Sequence, residues 1–195
     1  MPPSRREELI DAAMKVFQKN GFHGTSLDKV LQEGGISRMT MYNHFKSKDE
    51  LIVAALRRSD EIFRNDMMKF VERRADDPIE RLLAVFDFHL SVLEDENFCG
   101  CMFVNAAGEF NDPESQIRRV AADHKREIVR YLSNLCRQGG IKDSDALAVQ
   151  LVMLLSGSIV MAHVVGKVDA QQLKPVDAGN LARLAAETLI AAARS

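Results

Sequence analysis

The feature that most limits what this chain can fold into is a pair of very short helical segments joined by a turn of fixed length. It spans residues 25–48, TSLDKVLQEGGISRMTMYNHFKSK. Leu27, Val30 and Leu31 recur at a 3–4 spacing, the apolar stripe of a helix. Gly34-Gly35 breaks that helix, Ile36 returns to the core, and Ser37 is placed to cap a second helix that runs through Met41 and Phe45. Helices of two or three turns are not stable alone, so both must be held by packing. Polar and basic residues gather on the second one, where Arg38, Lys46 and Lys48 meet no acid between positions 38 and 48. A compact pair with a cationic second helix is a helix-turn-helix, and its second helix suits a major groove.

The chain as a whole carries a net charge of −2, the wrong sign for a nucleic-acid binder until it is divided. Residues 1–60 hold ten Lys/Arg against eight Asp/Glu, a net of +2, and the remainder hold sixteen against twenty, a net of −4. Screening limits electrostatic reach to about 8–10 Å at physiological salt, so the local basic surface matters more than the sum. With 195 residues, 46% apolar and 28% charged, the composition is that of an ordinary globular protein of one medium domain, or of a small domain fused to a larger one. Met1 to Asp11 is charged and has no apolar run, so no signal peptide is expected. The most apolar segment, Leu151 to Gly166, is interrupted by Ser156, Ser158 and His163 and falls short of the roughly 20 residues a membrane span needs, which predicts a buried helix and no membrane partner. Three cysteines in such a chain point to reduced thiols in the cytoplasm.

Capping signals divide the rest into helices. Ser4 with Glu7 forms a capping box ahead of Leu9, Ile10, Ala13, Met14 and Phe17, and Asn20-Gly21 ends that helix. Thr25 with Asp28 and Ser47 with Glu50 mark two more starts, the latter opening a long helix to about Arg73. Asp77-Pro78 caps a helix over 78–95, and a short one covers Met102 to Phe110. Asp112-Pro113 repeats the device for a helix to Gln138, closed by Gly139-Gly140. Asp143 or Ser144 begins the apolar helix, and an alanine-rich one covers 177–193. No strand pattern of useful length, repeat or low-complexity tract is visible. The expected architecture is all-α with about nine helices: a helix-turn-helix domain over 1–46 and a helical ligand-binding and dimerisation domain over 47–195.

The first 55 residues resemble the DNA-binding domain of the TetR family of transcriptional regulators. The resemblance rests on Ala12-Ala13, Phe17, Gly21-Phe22, Gly24-Thr25-Ser26, Gly35-Ile36-Ser37, Thr40, Tyr42, His44-Phe45, Ser47-Lys48 and Leu51. It implies a homodimer on a near-twofold operator in double-stranded DNA and a C-terminal helical domain that holds an inducer. By that resemblance Thr25, Thr40, Tyr42 and Lys48 contact phosphates, and Arg38, Met39, Asn43 and His44 face base edges. Ser37 and Lys46 complete the candidate interface, Ser37 at a helix N-terminus and Lys46 as a cation. Met39 stands where the family often has a small residue, so operators of relatives do not transfer.

Behind the helix-turn-helix the residues say less. The apolar helix from Leu151 and the last helix, with Ala182, Ala185, Ala186, Leu189 and Ala193, are candidates for the dimer interface. Phe86, His89, Phe103, Asn105, Phe110, His124 and His163 put aromatic and polar groups on otherwise apolar faces and are candidates to line an effector pocket, with Cys99 and Cys101 beside them. His89, His124 and His163 lack metal-ligand spacing, and no cofactor or metal is expected. The stretch GCMFVNAAGEF resembles a family subgroup with a Gly-Cys-aliphatic-aromatic motif at this point. Cys99 and Cys101 are read as small residues packing a turn, with an electrophile-sensing thiol as the alternative. The function expected is a ligand-responsive repressor and not an enzyme. A helical enzyme with an accessory DNA-binding unit finds no nucleophile–base pair, phosphate loop or ligand cluster, and an architectural binder would need no effector.

Overall fold

A computed structural model describes residues 3–165 and 174–194. Among the described residues the chain is all helical, with nine α-helices and no strand. These are α1 Arg5–Asn20, α2 Leu27–Gly34, α3 Arg38–His44, α4 Lys48–Arg74, α5 Pro78–Leu93, α6 Met102–Glu109, α7 Gln116–Gln138, α8 Ser144–Val164 and α9 Pro175–Arg194. Packing separates them into two compact units, each discontinuous in sequence. One comprises Met1–Phe63 with Cys101–His124, the other Arg64–Gly100 with Lys125–Ser195.

In the first unit local chemistry sets the helix ends. Ser4 Oγ accepts from Glu7 N–H at 3.3 Å while the Glu7 carboxylate accepts from Ser4 N–H at 2.7 Å, completing the capping box. These bonds hold the Glu7 carboxyl below its ordinary pKa. The cap of α2 lies one residue later than the Thr25 start expected from the sequence: Ser26 Oγ accepts from Lys29 N–H at 3.3 Å. Gly35 ends α2 at φ 59°, a left-handed conformation that favours glycine. The core gathers Phe17, Phe22, Val30, Met41, Leu51 and Ile52 with Phe103 and Ala106 of α6. Phe17 and Phe22 rings lie 5.4 Å apart.

In the second unit α5, α8 and α9 pack on one another. Asp77 accepts from Ile79 and Glu80 N–H at 2.9 and 3.0 Å, starting α5 at Pro78 as expected. Arg183 Nε of α9 donates to Asp87 of α5 at 2.6 Å. Asp112-Pro113 does not start α7; Asp112 instead accepts from Glu114 N–H at 2.9 Å in a turn, and the helix begins at Gln116.

The apolar helix begins at Ser144, one of the two starts expected. Counted from there, its 21 residues are long and apolar enough by length and composition to cross a membrane, which corrects the reading of 151–166 as too short. Gly166, where its end was expected, lies outside the described residues. One face buries Leu147, Leu151, Leu155, Ile159 and Ala162 within the unit. The other exposes Val149, Met153, Val160, Met161 and Val164, and Leu181 and Leu184 of α9 are likewise exposed.

Candidate nucleic-acid interface

Helix α3 has only seven residues, and its position is fixed by two buried anchors and one cap. Met41 is wholly buried and Phe45, just past its end, nearly so. Ser37 Oγ accepts from Thr40 N–H at 3.1 Å and shares a hydrogen bond with Thr40 Oγ1 at 2.9 Å. The guanidinium of Arg6 sits 5.0 Å from the Phe45 ring centroid, a cation–π contact that ties α1 to the end of α3. With those residues turned inward, Arg38, Met39, Tyr42, Asn43, His44 and Lys46 are left on the exposed side. Met39 is 75% exposed and Tyr42 55%, values that place neither in the core. An exposed methionine of that size is an apolar group offered outward, suited to contact with a thymine methyl.

Two cations of the candidate set already have partners. Arg38 donates from one guanidinium nitrogen to both carboxylate oxygens of Asp28 on α2, each at 2.6 Å. Both side chains are more than 60% exposed, so the pair is in high dielectric and is exchangeable. Lys48 Nζ donates to the Phe22 carbonyl at 2.6 Å, which leaves the ammonium two further donors.

Thr25 departs from its expected place. It is 1% exposed, and its hydroxyl donates to the Gly21 carbonyl at 2.7 Å. That bond makes it a brace of the α1–α2 turn, with its hydroxyl proton unavailable to a phosphate in this conformation. Two residues absent from the expected set belong beside it. Asp28 restrains Arg38, as above, and Glu109 of α6 accepts from Phe22 and His23 N–H. A helix-start signal at Asp28 draws attention away from its pairing. Glu109 is 86 residues from its nearer partner in sequence, and no local pattern marks it.

The candidate effector residues divide between the two units. In the first, Phe103 stacks on the His124 ring at 3.7 Å with the planes 7° apart. His124 Nδ1 donates to the Asp60 carboxylate at 2.7 Å, and both groups are largely buried. Phe110 packs against Phe22 and His23 instead, with ring centroids 5.9 and 4.6 Å away. Asn105 and Cys101 are half-buried in the same unit.

In the second unit Phe86 and His89 are buried, Cys99 is half-buried, and the His163 ring lies against Gly100. His89 Nε2 is buried without a hydrogen-bond partner. Burial, with help from nearby Lys125, lowers the His89 pKa to about 4, against a hydrogen bond to the Leu155 carbonyl that raises it. Among the described residues no group of three or more His, Cys, Asp or Glu is arranged to hold a metal. Burial raises the Cys136 pKa to about 11, which favours the unreactive thiol over the thiolate.

A capped helix-turn-helix with its polar face outward, among described residues that form helices and no strand, is the arrangement of a helix-turn-helix DNA-binding protein. Residues 9–55 match the model of bacterial regulatory proteins of the tetR family, and residues 78–174 match that of the tetracyclin repressor-like C-terminal domain. The chain belongs to the TetR family of transcriptional regulators.

Among its relatives, the HTH-type transcriptional regulator LmrA of Bacillus subtilis is 25% identical over 162 residues, 80% of this chain and 85% of LmrA. The fatty acid metabolism regulator protein of the same organism is 29% identical over 92 residues, and that match spans only 44% of either chain. A TetR-family transcriptional regulator from Streptomyces coelicolor has the same fold, with a TM-score of 0.87 at 24% identity over 98% of this chain and 96% of that one.

Proposed function

We propose that this chain is a cytoplasmic, homodimeric repressor that binds a near-palindromic operator through α3 and leaves it when a small molecule binds the helical domain. The observation that carries the DNA-reading part is the polarity of α3: Met41 and the Ser37 cap fix the helix, and six side chains capable of groove contact remain exposed on it and just after it. Arg38, Met39, Asn43 and His44 face base edges in this reading, and Thr40, Tyr42, Lys46 and Lys48 position the phosphates.

Two recognition helices are needed because one short helix gives too little specific contact. The exposed apolar stripe on α8, with Leu181 and Leu184 on α9, supports pairing of two chains through these helices as a four-helix bundle. Buried polar groups of the helical domain support an effector site. The effector acts by preferring a conformer whose recognition helices no longer match successive major grooves, with a coupling of roughly 1–3 kcal/mol.

Tyr42→Ala and Asn43→Ala test the interface, because both side chains are exposed and their removal leaves the fold intact. Each is expected to weaken binding to a selected duplex by about 1–3 kcal/mol at unchanged melting temperature. Losses no larger than those from substitutions on the exposed face of α7 remove α3 from the groove.

A further inference from the structure

The Gly21–His23 turn between α1 and α2 is held from three sides. Thr25 Oγ1 donates to the Gly21 carbonyl at 2.7 Å, and Lys48 Nζ, at the start of α4, donates to the Phe22 carbonyl at 2.6 Å. The third hold comes from the last residue of α6. Glu109 Oε1 and Oε2 accept from Phe22 N–H at 3.0 and 3.1 Å, and Oε2 accepts from His23 N–H at 2.6 Å.

These are charge-assisted bonds to a carboxylate that is 27% exposed, the kind that fix geometry best. Gly21 lets them form: its φ is 73°, and a Cβ there would lie 2.9 Å from Glu109 Oε1. Phe110 adds contacts to Phe22 and His23 on the same side. An acid at the C-terminal end of a helix opposes the helix dipole, so α6 itself gains nothing from this residue. Its partners are all in the turn that leads into α2.

We propose that Glu109 is a positioning residue for operator recognition, fixing through the Phe22–His23 turn where α2 begins and hence where α3 is seated. The proposal rests on the DNA-binding reading above. Glu109 lies in the stretch matching the C-terminal family model, yet it packs in the unit that carries the helix-turn-helix.

The sign of the effect separates positioning from simple electrostatics. Removing an acid from a DNA-binding unit favours binding to any polyanion, so charge alone predicts that Glu109→Gln binds every duplex more tightly. Positioning predicts the opposite for a specific site.

The test uses the full chain, a duplex recovered from a random pool by selection with the wild-type protein, and a scrambled duplex. For Glu109→Gln the ratio of selected to scrambled affinity is expected to fall about tenfold, the loss set by one or two charge-assisted bonds. Amide exchange at Phe22 and His23 should accelerate, with the melting temperature little changed. Glu109→Asp keeps the charge but shortens the reach and should lower the same ratio, which covers the case of an unfolded Gln variant. An unchanged or increased ratio in the folded variants overturns the proposal while leaving the DNA-binding reading in place. A wild-type protein that selects no duplex overturns both.

Discussion

His89 gives the most quantitative prediction because its burial and its missing partner act on one observable. The unfolded chain protonates this imidazole near pH 6.5, whereas the folded chain resists protonation down to about pH 4. Between those values the unfolded state binds the extra proton, so stability falls as pH is lowered through 6.5 toward 4 and is fully present above that window. From pH 7 to pH 5 the loss assigned to this one group is about 2 kcal/mol, taking 1.36 kcal/mol per pKa unit.

The perturbation is His89→Leu, which fills similar space and has no proton to bind. At pH 7 the variant is relieved of the unpartnered Nε2 but loses the bond to the Leu155 carbonyl, so its stability should lie within about 1 kcal/mol of the wild type. Urea unfolding of both proteins at pH 7 and pH 5, at one protein concentration, isolates the effect as a difference of differences. The wild type should lose about 2 kcal/mol more than the variant over that interval. Equal losses refute the claim that His89 is held neutral in the core.

Asp28→Asn frees Arg38 from an exposed ion pair, which should change stability by less than about 1 kcal/mol, tighten binding to any duplex up to about fivefold, and steepen its salt dependence by about one ion. Weaker binding of the selected duplex would mean instead that the carboxylate aims the guanidinium at a base. Met153→Asp combined with Leu184→Asp places charges on the exposed apolar stripes of α8 and α9 and should turn a dimer into a monomer by sedimentation. A persistent dimer places the interface elsewhere.

Helix boundaries were legible wherever a polar residue capped a helix locally. Ser4 with Glu7, Ser37, Ser47 with Glu50, and Asp77-Pro78 all cap or start the helices expected of them. The same logic slipped at Thr25 and Asp112, where the side chain had a competing use. Thr25 braces Gly21, and Asp112 closes a turn four residues before α7. Asp112-Pro113 and Asp77-Pro78 are the same dipeptide, yet one closes a turn and the other caps a helix.

The division of α3 into buried and exposed residues was readable from 3.6-residue periodicity, since Met41 and Phe45 share a face. Partners distant in sequence were not readable. Glu109 pairs with Phe22 and His23, and Asp60 with His124, at separations of 64 residues or more with no local signature. The start of the apolar helix at Ser144 was legible too; only the membrane-span comparison failed, because it counted from Leu151 and left out 144–150 of the same helix.

The central claim, that α3 reads a specific sequence in duplex DNA, is tested most directly by one titration. Purified protein is titrated at about 0.15 M salt against fluorescent duplex from the intergenic region upstream of its own gene, and against a scrambled duplex of equal length and composition. Preference for the intergenic duplex by at least about 10³-fold is the predicted result, the lower bound for specific over non-specific binding. Equal affinities, falling together as salt is raised, would contradict it.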